Sequence, residues 1–65
     1  MTALVSIIMP CFNARKTIVS SLKSIQAQTF KDFECIIIDD HSTDNTLDLI
    51  DKIINRDKRF KIIKL

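Results

Sequence analysis

Three short apolar runs, separated by two segments of helical period, set the frame for what this chain can fold into. Residues 4–9 (LVSIIM) are apolar, partly β-branched and stopped by Pro10, which predicts a buried strand. Residues 14–28 follow with Ile18, Leu22 and Ile25 at helical spacing, and Asn13 stands where an N-cap belongs. A second apolar run, residues 33–38 (FECIII), ends at Asp39 and Asp40. Asp44 or Thr43 then caps a second helix with Leu47, Ile50 and Ile54 as its inward stripe. In that helix Asp48 and Asp51 lie toward the positive end of the dipole, and Lys52 and Arg56 toward the negative end. Residues 60–65 (FKIIKL) are the third strand candidate.

The resulting order, β-α-β-α-β, predicts an α/β fold built on a parallel sheet. With right-handed crossovers and the strands laid side by side in chain order, both helices fall on one face of the sheet. The first two strands, however, are apolar at nearly every position, as strands covered on both faces are. The expectation is therefore a fragment of a three-layer sheet, or a chain that self-associates through the bare face. At 65 residues it forms one small domain of marginal stability.

Composition narrows the chemistry. The net charge of +2 is spread along the chain, which gives no footprint for nucleic acid. The densest charged stretch, residues 56–59, mixes signs and reads as a solvated helix end. Two cysteines on different segments, Cys11 and Cys35, do not make a disulfide framework, and Cys35 reads as a small core residue. A reducing cytoplasm is the expected compartment: Met1 runs straight into the first strand pattern, and no apolar stretch is long enough to span a bilayer. The absence of glycine excludes the glycine-rich loops that usually bring a backbone against a phosphate.

In open α/β sheets, ligands bind outside the carboxyl ends of the strands. Two turns occupy that edge here: Pro10-Cys11-Phe12-Asn13, and residues 39–44 (DDHSTD). Neighbouring parent strands bring the turns together, one offering an aromatic ring and the other two carboxylates. Phe12 either stacks on a nucleobase or plugs the helix start. A carboxylate only accepts hydrogen bonds, so it selects a base edge that donates, such as N3–H of uracil or N1–H of guanine. Asp40 is the candidate acceptor, and Asp39 holds the loop or a ribose; the alternative is that both merely cap the turn. Asp44 reads as a structural cap, and His41 as a solvent-facing loop residue rather than a metal ligand. A receiver-type phosphoryl-transfer site built on Asp39, Asp40 and magnesium ranks low, because the acid pair follows the second strand and not the first.

The motifs occur together in one register. An apolar strand leads into Pro10-Cys11-Phe12-Asn13, a helix ends at Gln28-Thr29-Phe30, and Asp32-Phe33-Glu34 opens a strand ending in Asp39-Asp40-His41-Ser42-Thr43-Asp44-Asn45-Thr46. This pattern, over nearly the whole chain, resembles the start of the family 2 inverting glycosyltransferases. Each piece is weak alone and specific in combination. The resemblance implies the Rossmann-like first half of a GT-A fold, with residues 1–65 as its N-terminal nucleotide-binding portion. It implies transfer of a sugar from a nucleotide-diphosphate donor, often UDP-linked, to a saccharide or lipid-linked acceptor, with peripheral membrane association an option for the parent enzyme.

By the same resemblance Pro10 and Phe12 lie against the nucleoside, Phe12 standing in for a commoner tyrosine, and Asn13 belongs to the same turn. Asp40 matches the base-contacting aspartate, and Asp39 supports the site. His41 stands where glycine is commonest, and Cys11 where Thr, Val or Ala is. The Asp-x-Asp that carries a divalent metal (Mg or Mn) and the general base belong to later parts of such enzymes, so no catalytic or metal-binding residue is expected here. The alternative reading is a non-catalytic nucleotide-binding or self-associating module.

Overall fold

A computed structural model describes residues 5–65. Five elements follow one another: β1 (Val5–Cys11), α1 (Ile18–Ala27), β2 (Phe33–Asp39), α2 (Thr46–Ile54) and β3 (Phe60–Lys64). The three strands form one parallel sheet in the order β1-β2-β3. Register pairs Ile7 with Cys35, Met9 with Ile37 and Cys11 with Asp39 on one side, and Cys35 with Phe60 and Ile37 with Ile62 on the other. The α/β architecture expected from the sequence is therefore the one observed.

Both helices pack on the face carrying Cys35 and Ile37. Ile18 and Leu22 of α1 and Ile50 of α2 form a single core with Phe33, Cys35, Ile37 and Phe60, and Ile25, Leu47 and Ile54 pack partly buried against it. Alternation along the strands places Ile8, Ile36, Ile38 and Ile63 on the opposite face, and there Ile8 is 56% exposed. That face carries no layer among the described residues. At the amino end of the sheet, Phe33 and Phe60 meet edge to face with centroids 5.8 Å apart. The Arg59 guanidinium lies 4.4 Å above the Phe33 ring, held there by Asp57 through two side-chain bonds of 2.8 and 2.7 Å.

Three boundary expectations are corrected. Pro10 does not stop β1, which runs on to Cys11. Val5 N–H bonds to Asp32, and Cys11 C=O accepts from Asp40. The backbone groups of odd-numbered residues therefore face β2, and Pro10, with its missing N–H, faces away where no ladder bond is lost. Leu4, placed in the strand from sequence, lies outside the described residues.

Second, α1 starts at Ile18 and not at Ala14, and Thr17 holds the cap position. Residues 14–17 make a tight turn instead, with the Thr17 and Ile18 amides on the Ala14 carbonyl at 3.0 and 2.8 Å. Asn13 caps nothing there; its backbone is left-handed (φ 47°) and its side chain crosses to the other loop. Third, the cap position of α2 is Asn45, whose side chain makes no capping bond. Asp44, one residue earlier, takes the Thr46 N–H at 2.9 Å, so the helix start is satisfied by the expected residue from a neighbouring position.

Candidate functional site: the paired turns after β1 and β2

The turns leaving β1 and β2 meet because their strands do. Cys11 is paired with Asp39, and the Asp40 N–H continues the ladder to the Cys11 carbonyl at 3.0 Å. Phe12 and Asp40 are each next along the chain from that last pair, at the carboxyl edge of the sheet. The Phe12 residue is 61% exposed and the Asp40 side chain 68% exposed. Both side chains are thus open to solvent at the edge where open α/β sheets take ligands.

The rest of both turns is tied together by reciprocal bonds. Asn13 donates its backbone N–H to the Ser42 hydroxyl at 2.9 Å, while its side-chain Oδ1 accepts the Thr43 and Asp44 N–H groups at 2.7 and 3.3 Å. The Ala14 N–H bonds to the Thr46 hydroxyl at 2.9 Å, and the Thr46 hydroxyl donates in turn to Asp44. The other Asp44 oxygen accepts the Arg15 N–H at 3.4 Å. The Asp44 carboxyl is held below its ordinary value, chiefly by the Thr46 hydroxyl.

Asp39 sits behind this clasp, 2% exposed. Its oxygens accept the Ser42 N–H at 3.0 Å, the Ser42 hydroxyl at 2.5 Å and the Cys11 thiol at 3.5 Å. Burial pushes its carboxyl up, but the Ser42 hydroxyl, the Ser42 amide and the Cys11 thiol together outweigh burial and leave it lowered, hence ionised. Of the two roles left open for Asp39, holding the loop is the one its surroundings describe. The same burial, with the hydrogen bond to Asp39 and the charges of Asp39 and Asp44, pushes the Cys11 thiol up to about 11. Cys35 is also raised by burial, in the core as expected.

Asp40 and His41 form an exposed pair, with Nδ1 and Oδ1 3.1 Å apart. His41 is left-handed (φ 59°), which accounts physically for glycine being the commonest residue at this place in the resembling family. Pro10 is exposed at the end of β1, next to the Phe12 turn.

An open hollow of about 510 Å³ adjoins the clasp, lined by Asn13 to Thr17 with Thr43 and Asp44. A larger one of about 650 Å³ lies at the other end of the molecule, between Asp51 and Phe60. The first is at the carboxyl edge, where open α/β sheets take ligands, and size does not override that topology.

The structure puts the expected residues Phe12, Asp39, Asp40 and Asp44 on these two turns, and it adds Ser42 and Thr46, to which sequence reasoning gave no role. An aspartate at a strand exit followed three residues later by serine is the spacing of a side-chain-closed turn, and it was the signal available for Ser42. Thr46, fully buried at the start of α2, carried no local signal, since its partner Ala14 is 32 positions away. Among the described residues no three His, Cys, Asp or Glu side chains converge as a metal cage. With the Asp39 oxygens committed to Ser42 and Cys11, these residues do not fit the divalent ion that the resemblance implies for such enzymes.

The three-stranded parallel sheet with its two crossovers is a piece of the GT-A fold. The glycosyl transferase family 2 model matches residues 6–65, and the chain belongs to that family. It is 48% identical over 61 residues to the Escherichia coli UDP-Glc:alpha-D-GlcNAc-diphosphoundecaprenol beta-1,3-glucosyltransferase WfaP, covering 94% of this chain and 24% of that protein. It is 41% identical over 56 residues to the Campylobacter jejuni GalNAc(5)-diNAcBac-PP-undecaprenol beta-1,3-glucosyltransferase, covering 86% of this chain and 18% of that one. The crystal structure of S. aureus TarS 1-349 superposes with a TM-score of 0.86 at 34% identity, over all of this chain and 19% of that one. The mannosyltransferase PcManGT from Pyrobaculum calidifontis, in complex with GDP-Man and Mn2+, superposes at 0.85 with 20% identity, over 98% of this chain and 20% of that one; this likeness bears on the fold alone. The chain thus spans about a quarter or less of the length of these proteins.

Proposed function

We propose that residues 1–65 are the N-terminal, nucleoside-holding portion of a glycosyltransferase that transfers a sugar from a nucleotide-diphosphate donor to a saccharide or lipid-linked acceptor. The observation that carries this is the pair of turns in which Asn13, Asp39, Ser42 and Asp44 are bonded to one another while Phe12 and Asp40 stay exposed. In this reading Phe12 stacks on the base, Asp40 accepts a base N–H, and Pro10 lines the nucleoside side of the turn. Asn13 and Asp39 act from behind, by shaping the loops. The UDP-glucose and undecaprenol-linked substrates in the name of WfaP make a UDP-sugar and a lipid-linked acceptor the first to test. Such an acceptor would place the reaction on the cytoplasmic side of a membrane, with the enzyme peripherally attached; no helix among the described residues is long and apolar enough to cross one.

The site has groups for binding and none for the chemical step. A diphosphate leaving group needs its charge neutralised, and an acceptor hydroxyl needs a base. In this reading both come from other parts of the enzyme, the first through the divalent ion, and these residues alone turn nothing over.

Calorimetric titration with UDP tests the site. Weak binding is expected, falling at least about fivefold in Phe12→Ala, since a base–aromatic stack is worth about 1–3 kcal/mol, and falling similarly in Asp40→Asn. Unchanged affinity in both variants would remove the reading. The bare sheet face, with Ile8 and Ile63 exposed, favours a second reading as a self-associating module. Sedimentation showing a monomer at high concentration would dismiss it.

A further inference from the structure

The geometry points to Ser42 as the positioning residue of the nucleoside platform, one hydroxyl that sets the Phe12 turn and the Asp40 turn in a fixed relation. This rests on the nucleoside-site reading and assigns to Ser42 a role toward the ligand without contact with it.

The hydroxyl has one proton, and its nearest acceptor is the buried Asp39 carboxylate at 2.5 Å. An ionised carboxylate only accepts, so the proton points to Asp39. The lone pairs that remain are then directed away from Asp39, and the Asn13 N–H takes one of them at 2.9 Å. That N–H belongs to the peptide joining Phe12 to Asn13, so its direction fixes the plane from which the Phe12 side chain departs. Asn13 holds a left-handed backbone at this point, a conformation asparagine enters more readily than most residues.

The other end of the relay is equally constrained. Asp39 is the last residue of β2, directly before Asp40, and it also receives the Ser42 N–H at 3.0 Å. The chain of groups runs from the Asp39 carboxylate through the Ser42 hydroxyl to the Phe12–Asn13 peptide, and its Ser42–Asn13 bond joins residues 29 positions apart. Ser42 is half-buried while the platform residues are exposed, so it acts through the turns. The Asn13 side chain ties the same turns through the Thr43 and Asp44 amides, but it leaves its own peptide plane to Ser42.

The test is UDP titration of the full chain, comparing the parent with Ser42→Ala, Ser42→Thr, Phe12→Ala and the Ser42→Ala/Phe12→Ala double variant, with amide exchange at Asn13 followed alongside. Ser42→Ala is expected to weaken UDP about tenfold and to speed exchange at the Asn13 amide. Ser42→Thr, which keeps the hydroxyl, returns both to within about twofold of the parent. In the Phe12→Ala background Ser42→Ala costs less than about twofold further, because the ring it positions is gone. Additive losses in that cycle, or failure of threonine to restore binding, overturn the proposal. Should Ser42→Ala not fold, Ser42→Cys carries the comparison, since a thiol accepts only weakly from Asn13; weakened binding supports the relay and parent-like binding overturns it. A parent chain that leaves UDP unbound overturns the nucleoside-site reading and this one together. A parent that binds UDP equally well after Ser42→Ala overturns this proposal alone.

Discussion

The Thr46 hydroxyl, at the first turn of α2, accepts the backbone N–H of Ala14, in the tight turn ahead of α1, at 2.9 Å across 32 positions of sequence. Thr46 is fully buried, and its own proton goes to Asp44. One side chain thereby joins the starts of both helices and gives a half-buried amide its partner.

Thr46→Val keeps the shape and deletes the acceptor. The Ala14 N–H is then left without a partner, a loss of about 1–3 kcal/mol. Urea unfolding should show that drop, with Thr46→Ser retaining more stability than Thr46→Val. Equal stability of Thr46→Val and the parent would show that the bond contributes nothing.

His41 holds a left-handed backbone at φ 59°. A β-branched residue suffers there, so His41→Val is expected to cost about 1–2 kcal/mol. In His41→Gly the relief of strain opposes the extra freedom of glycine in the unfolded chain, and stability should stay within about 1 kcal/mol of the parent. Thermal unfolding of the two variants side by side checks the order; valine tolerated as well as glycine would contradict the observed backbone.

Asp57 gives the clearest dependence on pH. The Arg59 side-chain bonds, against burial and with help from the Arg59 amide and charge and from Gln26, hold its carboxyl down at about 2 from an ordinary 3.8. A folded value below the unfolded one contributes stability that is fully present above the unfolded value and lost as pH falls toward the folded one. Asp57→Asn should therefore be less stable than the parent at neutral pH, and that gap should close between about 3.8 and about 2. A gap that stays constant across that range would assign the effect to packing of Arg59 on Phe33 and not to the charge.

Cys11 is raised to about 11 by burial, its hydrogen bond to Asp39 and the nearby carboxylates, and Cys35 is raised by burial. The thiolate is the nucleophile, so neither cysteine should react readily with iodoacetamide near about pH 8, while both react in urea. Mass spectrometry of the timed reaction reads this directly. Fast alkylation of Cys11 in the folded chain would contradict the contact with Asp39.

The element order was legible because buried parallel strands read as short continuous apolar runs, while the segments between them carry helical spacing. The ends were less so. Pro10 reads locally as a stop, yet whether its missing N–H matters depends on which way that residue faces in the sheet, which register alone decides. Asn13 has the chemistry of a helix cap and was given that role; its carbonyl instead meets two amides supplied by the distant turn. Phe12 and Asp40 could be singled out from sequence because an aromatic ring and a carboxylate at strand exits are read from their own chemistry. Ser42 and Thr46 act only through partners brought by tertiary structure, so no local pattern names their roles.

The all-parallel register has a kinetic consequence. Cys11 and Asp39 are 28 positions apart and Asn13 and Asp44 are 31, and no hairpin exists to bring either pair together early. Each closure waits for an entire crossover, which is the slow route to a sheet. Neither turn can take its working shape alone, because each supplies the acceptors for the other's amides. A nascent chain that has emerged only as far as Asp40 already carries Phe12 and Asp40, yet it lacks Ser42, Thr43 and Asp44, whose bonds to Asn13 tie the two turns.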